Sequence, residues 1–220
     1  MRLLTPLRAV GKPPLPLFPT FLIVRPIMTN TANKSTENIA PRVRPAEARD
    51  IASIQGIYAH HVRHGMASFE EIPPDVAEIA RRWKKVIERS LPYLVAESDG
   101  LVVGFAYANL FRERSAYRFA LENSVYVAPR LHRRGIGGIL LNELIKKCEA
   151  AGYRQMIAVI GDSANTASIA LHKKMGFEMA GTLPGVGFKF DRWVDSVYMR
   201  RPLGTGENAT PKEIATPHKK

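Results

Sequence analysis

The chain has 220 residues, 45% hydrophobic and 24% charged, which suits one globular domain with tails and a real core. Its single cysteine, Cys148, excludes an intramolecular disulfide and a thiolate metal cluster, and fits a reducing compartment such as the cytoplasm. The formal net charge is +12, and residues 42–203 hold 24 basic and 17 acidic side chains, a net +7. A basic core suits an anionic ligand. Nucleic acid is the other partner such charge allows, but the basic residues form no long stripe with interleaved aromatics.

Residues 1–41 read as a disordered leader. Pro6, Pro13, Pro14, Pro16 and Pro19 break any helix. The uncharged run Pro13–Val24 is too short and proline-rich to span a bilayer. No acidic residue precedes Glu37, which allows a transit-type segment, and Met28 offers an alternative start. The tail 204–220 is similar in character.

Between them, residues 42–203 predict a mixed α/β domain. Ala48–Arg63 is a helix with Ile51, Ile54, Ile57, Tyr58 and Val62 on its apolar side. Pro74–Ser90 is a second, with proline at its start where helices tolerate it. Its basic cluster Arg81, Arg82, Lys84 and Lys85 reads as a solvated face. Tyr93–Glu97 and Leu101–Asn109 are strands joined by Ser98-Asp99-Gly100, a hairpin signal. Phe119–Val127 is the next strand, and Pro129 closes it. Ile136–Ala151 is a helix ended by Gly152, with Cys148 on its apolar face as a buried small hydrophobe. Arg154–Ile160 is a buried strand and Thr166–Met175 a short helix ended by Gly176. Phe177–Thr182 and Trp193–Met199 close the sheet. There is no internal repeat, no membrane span and no metal-ligand pattern.

The most informative stretch is Glu122–Gly138, a strand, a short basic loop and a glycine-punctuated helix start. A helix N-terminus offers unpaired N–H groups and partial positive charge. Gly135, Gly137 and Gly138 let a phosphate oxygen approach, and Arg133 and Arg134 add fixed charge, so the segment suits a pyrophosphate. The plain alternative is a tight turn before a surface helix. A Walker A loop needs Lys-Ser/Thr where Ile139 and Leu140 stand, and the glycine spacing differs from the dinucleotide fingerprint.

Strand, glycine turn, helix, strand, Asn-opened helix and closing strands together resemble the GNAT superfamily of N-acetyltransferases, whose mixed central sheet is splayed and flanked by helices. The closer resemblance, over residues 42–203, is to the phosphinothricin and methionine sulfone/sulfoximine N-acetyltransferase family. Four blocks carry it: Ala67-Ser68-Phe69-Glu70; Tyr107-Ala108 through Arg114-Ser115-Ala116-Tyr117 to Glu122 and Ser124-Val125-Tyr126-Val127; Ala158-Val159-Ile160-Gly161 with Asn165, Ser168 and Leu171-His172; and Gly187-Phe188-Lys189 with Arg192-Trp193 and Asp195. His132 departs from the Gln or Arg usual at the first motif position of the superfamily.

The resemblance implies acetyl-CoA as cosubstrate and no metal. Its pyrophosphate would sit on Arg133, Arg134, Gly135, Ile136, Gly137 and Gly138. Its peptide-like arm would pair with the strand at Val125, Tyr126 and Val127, with Asn165 capping a helix or holding that arm. Glu122 matches the family's proposed general base, which an α-ammonium acceptor requires. His172, near neutral in reference pKa, would act as general acid or touch substrate. Arg112 and Arg114 would offer forked donors to carboxylate, phosphinate or sulfone oxygens, with Phe69, Tyr117, Asn123 and Ser124 lining the pocket. Glu113 between the arginines departs from the family pattern. Lys189, Arg192 and Trp193 are expected at a pocket rim or in a homodimer contact. Members of the family act on drug-like or herbicide-like analogues of metabolites. Competing readings are transfer to a polyamine, an aminoglycoside or a protein N-terminus, an acyl-CoA sensor without turnover, and a basic nucleic-acid-binding protein.

Overall fold

The structure is a computed structural model that describes residues 41–212. The expected leader, through residue 40, and the tail from 213 lie outside the described residues. The elements run β1 (Arg42–Pro45), α1 (Ile51–His64), α2 (Val76–Glu88), β2 (Tyr93–Ser98), β3 (Leu101–Leu110), β4 (Ala120–Val127), α3 (Ile136–Ala150), β5 (Gln155–Gly161), α4 (Thr166–Lys174), β6 (Glu178–Lys189) and β7 (Arg192–Pro202). Seven strands form one sheet in the order β1-β2-β3-β4-β5-β7-β6. Every neighbouring pair is antiparallel except β4–β5, which is parallel. No described helix is long and apolar enough to cross a membrane.

Local chemistry explains most boundaries. Asp75 caps α2, its Oδ1 accepting from the Glu78 N–H at 2.7 Å. Asp99 and Gly100 both take positive φ, the geometry a two-residue hairpin needs. The apolar stripe of α1 is buried as its spacing requires, and Leu140, Leu141, Leu144 and Cys148 of α3 are fully buried. Burial pushes the Cys148 thiol up to about 12, so it packs as a hydrophobe.

Three differences from expectation have physical causes. The short β1 shows no apolar alternation; it forms because Arg44 reaches inward to Asp50 and to Glu97 of β2. Residues 48–50 form a 3-10 turn before α1 rather than its first turn. The strand β6 continues to Lys189, seven residues beyond the expected end, and crosses Pro184 with irregular register. The chain also stays with the domain past the expected boundary at Leu203. The Gly204 N–H donates to Glu149 at 2.9 Å, and Glu207 accepts from Gln155 and Arg200, each at 3.0 Å.

Arg44 donates two parallel hydrogen bonds to buried Asp50, at 2.7 and 2.8 Å, and holds that carboxyl below its ordinary pKa. A carboxyl depressed in the folded state stabilises above its unfolded pKa, and the contribution is lost as pH falls through the folded value. Asp50→Asn is therefore expected to cost about 3 kcal/mol at neutral pH. The difference from the unaltered protein should shrink below pH ~4, where the unfolded carboxyl protonates. Urea melts at two pH values check this.

Candidate active site

The site forms where β4 and β5 part. Their parallel ladder runs from Ala120↔Gln155 to Asn123↔Ala158 and stops. Along β4 the backbone groups alternate in direction. The Ala128 N–H donates to Val103 and the Phe111 N–H to Ala120, so even-numbered β4 residues bond to β3 and odd-numbered ones point toward β5. By that alternation, Val125 and Val127 direct their backbone groups into the gap left by β5.

Side chains alternate across the two faces. Tyr126 meets Tyr58 of α1 edge-on at 5.1 Å, so Glu122, Ser124 and Tyr126 lie under α1 and α2. Asn123 meets His172 of α4 on the other face. Glu122 and His172 thus stand on opposite faces, on either side of the gap.

On the α4 face, a cleft of about 470 Å³ is lined by Val125, Tyr126, Val127, Arg133, Gly135, Ile136, Gly137, Gly138, Asn165 and His172. Gly135 opens α3 at φ 80° with no side chain capping the first turn, so its N–H groups are free for a ligand. Arg133, at φ 63°, also bends the turn into an anion nest. A Cβ on Gly137 would lie 3.3 Å from Leu171, closing the cleft floor. Arg134 is not among the lining residues.

Two histidines brace this turn. The Nε2 of His61, from α1, and that of His132 lie 2.9 and 3.1 Å from the Val127 carbonyl, which can only accept, so both donate to it. His61 had no signal in the sequence beyond a place on the α1 face. Asn165 caps α4, its Oδ1 accepting from the Ser168 N–H at 3.2 Å, and lines the cleft as well.

His172 is buried. Its Nδ1 lies 2.8 Å from the Ser168 carbonyl and therefore donates. Its Nε2 lies 3.0 Å from Asn123 Oδ1, whose orientation is set by the Asn123 amide donating to the Ile157 carbonyl at 3.1 Å. Burial lowers the His172 pKa, and the Ser168 carbonyl opposes that. Asn123 is buried with both amide groups engaged, so it supports His172 while also lining a small pocket beside it.

Glu122 is half-buried, and no hydrogen bond or ion pair engages its carboxylate among the described residues. Burial raises its pKa, and Arg112 opposes the rise. The loop residues Arg112, Glu113, Arg114 and Tyr117 line none of the three clefts beside β4 and α2, though Arg112 lies close enough to act on Glu122. Arg112 lies over the Phe111 ring at 4.3 Å, and Glu113 pairs with Arg89 at 3.2 Å.

Lys189 departs most from expectation. It is 1% exposed, not a rim residue, and its Nζ donates to the carbonyls of Gly65 and Ser68 at 2.9 and 2.7 Å. It ties β6 to the 65–70 loop. Phe69 of that loop rests on Gly187, where a Cβ would fall 2.5 Å from Cε2 of its ring, and on Gly161. Ser68 continues the network to Tyr58 at 2.9 Å, Tyr58 donates to Glu70 at 2.8 Å, and Arg82 donates to Glu70 at 2.6 Å.

The sequence profile of the Acetyltransferase (GNAT) family matches residues 55–177. This chain belongs to that family. The GNAT chain is therefore an acetyltransferase, with the splayed mixed sheet of the fold. It is 54% identical over 170 residues, 77% of its length and 86% of the relative's, to a phosphinothricin N-acetyltransferase of Alcaligenes faecalis. It is 36% identical over 169 residues, 77% of its length and 97% of the relative's, to the L-methionine sulfoximine/L-methionine sulfone acetyltransferase of Salmonella typhimurium. Among solved structures it resembles the phosphinothricin acetyltransferase of Sinorhizobium meliloti in complex with AcCoA. The TM-score is 0.78 and the identity 45%, over 81% of this chain and 96% of that one.

Lys189→Met would strand two buried carbonyls facing a former charged donor. The expected loss is about 3 kcal/mol, read in urea melts, with faster proteolysis at residues 65–70 as the local signature.

Proposed function

We propose that this acetyltransferase moves an acetyl group from acetyl-CoA to the α-amino group of a small amino acid of the phosphinothricin, methionine sulfone or methionine sulfoximine type. The observation that carries the reading is Glu122, an unpaired half-buried carboxylate, at the gap whose far side is a cleft suited to a phosphorylated arm. The names of the relatives supply the acceptor class. An enzyme of this kind would give a cell resistance to such a herbicide.

Arg133 and the N–H groups of residues 135–138 fit the pyrophosphate of acetyl-CoA, and the outward backbone of Val125 and Val127 fits its peptide-like arm. When bound, acetyl-CoA supplies an activated acetyl thioester. The protein's own part is to deprotonate and hold the amine. An α-ammonium has no lone pair, and Glu122 takes its proton directly or through a water. The raised pKa brings the base closer to neutrality, which makes it a better proton acceptor. Burial favours the neutral His172 ring, with its proton at Nδ1 on the Ser168 carbonyl. A proton gained at Nε2, where Asn123 Oδ1 accepts, would make His172 the donor on the cofactor face. Arg112 and Arg114 reach the acceptor's oxygens from the mouth, and Phe69 and Tyr117 flank it.

We also propose a homodimer through β6. Met179, Leu183, Val186, Phe188, Phe190 and Trp193 are exposed along this edge strand and its hairpin, an apolar face that a second copy would cover. A reduced buried Cys148 suits the cytoplasm.

Thiol release from acetyl-CoA with L-phosphinothricin, L-methionine sulfone and L-methionine sulfoximine tests the activity, with spermidine as the contrasting acceptor. Glu122→Gln should lower turnover about a hundredfold or more; turnover on spermidine alone would overturn the acceptor class. The rate should fall as pH falls through the Glu122 pKa, with a midpoint above the ordinary ~4.3 of a glutamate. Arg112→Ala should move that midpoint upward, because the cation that favours the carboxylate is gone. For the dimer, Phe188→Glu with Trp193→Glu should halve the mass measured by sedimentation.

A further inference from the structure

The four cations of the α2 cluster are all exposed, as a solvated face predicts, but they differ in their partners. Arg81 pairs with Glu78, Lys84 lies 3.8 Å from Glu88, and both side chains are exposed. Arg82 and Lys85, exposed as well, also line a cavity of about 280 Å³ between α2 and the sheet. Its floor is an aromatic stack, with the Tyr93 and Tyr107 rings 4.8 Å apart and nearly parallel and Phe105 beside them. Tyr58, Ile79, Val86 and Asn109 complete the wall.

This cavity lies on the Glu122 face. Asn109 stands directly opposite Glu122 in the β3–β4 register and Tyr107 opposite Ser124. Opposed residues of an antiparallel pair lie about 4.5–5.5 Å apart at Cα. A molecule with its amine at Glu122 therefore has this cavity as the adjoining space for its side chain. The volume falls just below the roughly 300–1,000 Å³ of pockets that take a whole ligand, and suits one end of a small one.

The polar groups left over in the cavity are donors. Arg82 is already neutralised by Glu70 and Glu78, each at 2.6 Å. Tyr58 gives its proton to Glu70. Asn109 Oδ1 is taken by Arg89 at 3.1 Å and the Leu110 N–H at 3.0 Å, which leaves its NH₂ to donate. The Tyr93 hydroxyl has no partner among the described residues. Lys85, alone of the four α2 cations, has no carboxylate partner among them. One uncompensated cation and two neutral donors around an aromatic floor are complementary to a single negative charge on a short chain.

We propose that this α2 cavity receives the distal end of the acceptor's side chain, and that Lys85, with Tyr93 and Asn109, selects a monoanionic terminus there, a phosphinate or a carboxylate. The assignment rests on the acceptor reading given above and deepens it. Arg112 and Arg114 then serve the mouth, while the far end of the substrate is read by α2.

The test compares KM for L-phosphinothricin, with an anionic terminus, against L-methionine sulfone, with a neutral one, in the unaltered full chain, Lys85→Glu, Lys85→Met and Tyr93→Phe. Lys85→Glu is expected to raise KM for phosphinothricin about tenfold or more, because a repulsion replaces a charge-assisted hydrogen bond. KM for acetyl-CoA, which does not reach this cavity, should stay within about threefold, and KM for the sulfone, whose neutral end forms no ion pair with Lys85, should rise clearly less than that for phosphinothricin. Lys85→Met should act in the same direction and less, and Tyr93→Phe should narrow the same ratio while leaving the melting temperature near that of the unaltered protein. Equal effects on both acceptors, or none, would overturn the cavity assignment while the acceptor class stands. Turnover of neither acceptor by the unaltered enzyme would overturn the acceptor class first, and this assignment with it.

Discussion

After Asn123 the hydrogen bonds between β4 and β5 cease, and every functional feature of the domain is placed by that gap. A parallel ladder carried to the strand ends would have buried the Val125 and Val127 backbone in the sheet. Stopped where it is, the ladder leaves the Val125 groups and the Val127 N–H facing the gap, with the Val127 carbonyl held by His61 and His132, beside a helix start that also lacks side-chain caps. Two sets of unmet hydrogen-bonding groups thus face one cleft, which is an unfavourable arrangement for an empty protein and a favourable one for a protein that binds a long polar ligand there.

The gap also joins two environments of opposite charge. On the α3–α4 side stand Arg133 and the positive end of a helix; on the α1–α2 side stands the unpaired carboxylate of Glu122. A small pocket lined by Ala67, Asn123, Ser124, Ala158, Gly161 and His172 lies between them in the plane of the sheet. A pyrophosphate is drawn to the helix start on one side, and an ammonium to the Glu122 carboxylate on the other. Sorting of this kind needs no moving part.

Much of this was legible in the residues. The glycine turn, the Asn at the start of α4 and the helix faces have local causes, and the structure places them as their spacing predicts. The acidic base candidate was legible from its strand and motif. The parts that were not legible depend on packing between distant segments. Lys189 looks like a surface lysine until β6 is seen to run beside the 65–70 loop, 121 residues away along the chain from Ser68. Lys85 is exposed like its neighbours, and only the pairing of the other three marks it out at the cavity. The extension of β6 was hidden by Gly181, Pro184 and Gly185, residues that ordinarily punctuate strands. Its length comes from pairing with β7 and not from its own propensity.

The seat of Phe69 has a consequence for how this protein can change. The ring fills space that exists because residues 161 and 187 have no side chains, and the loop backbone that carries it is held by an ammonium from position 189. Three segments far apart in the chain therefore behave as a single interlocking part. A loop of different shape transplanted into positions 65–70 would arrive on a seat cut for another ring. Inheritance of a new substrate preference through that loop would require the end of β5 and the β6–β7 hairpin to travel with it.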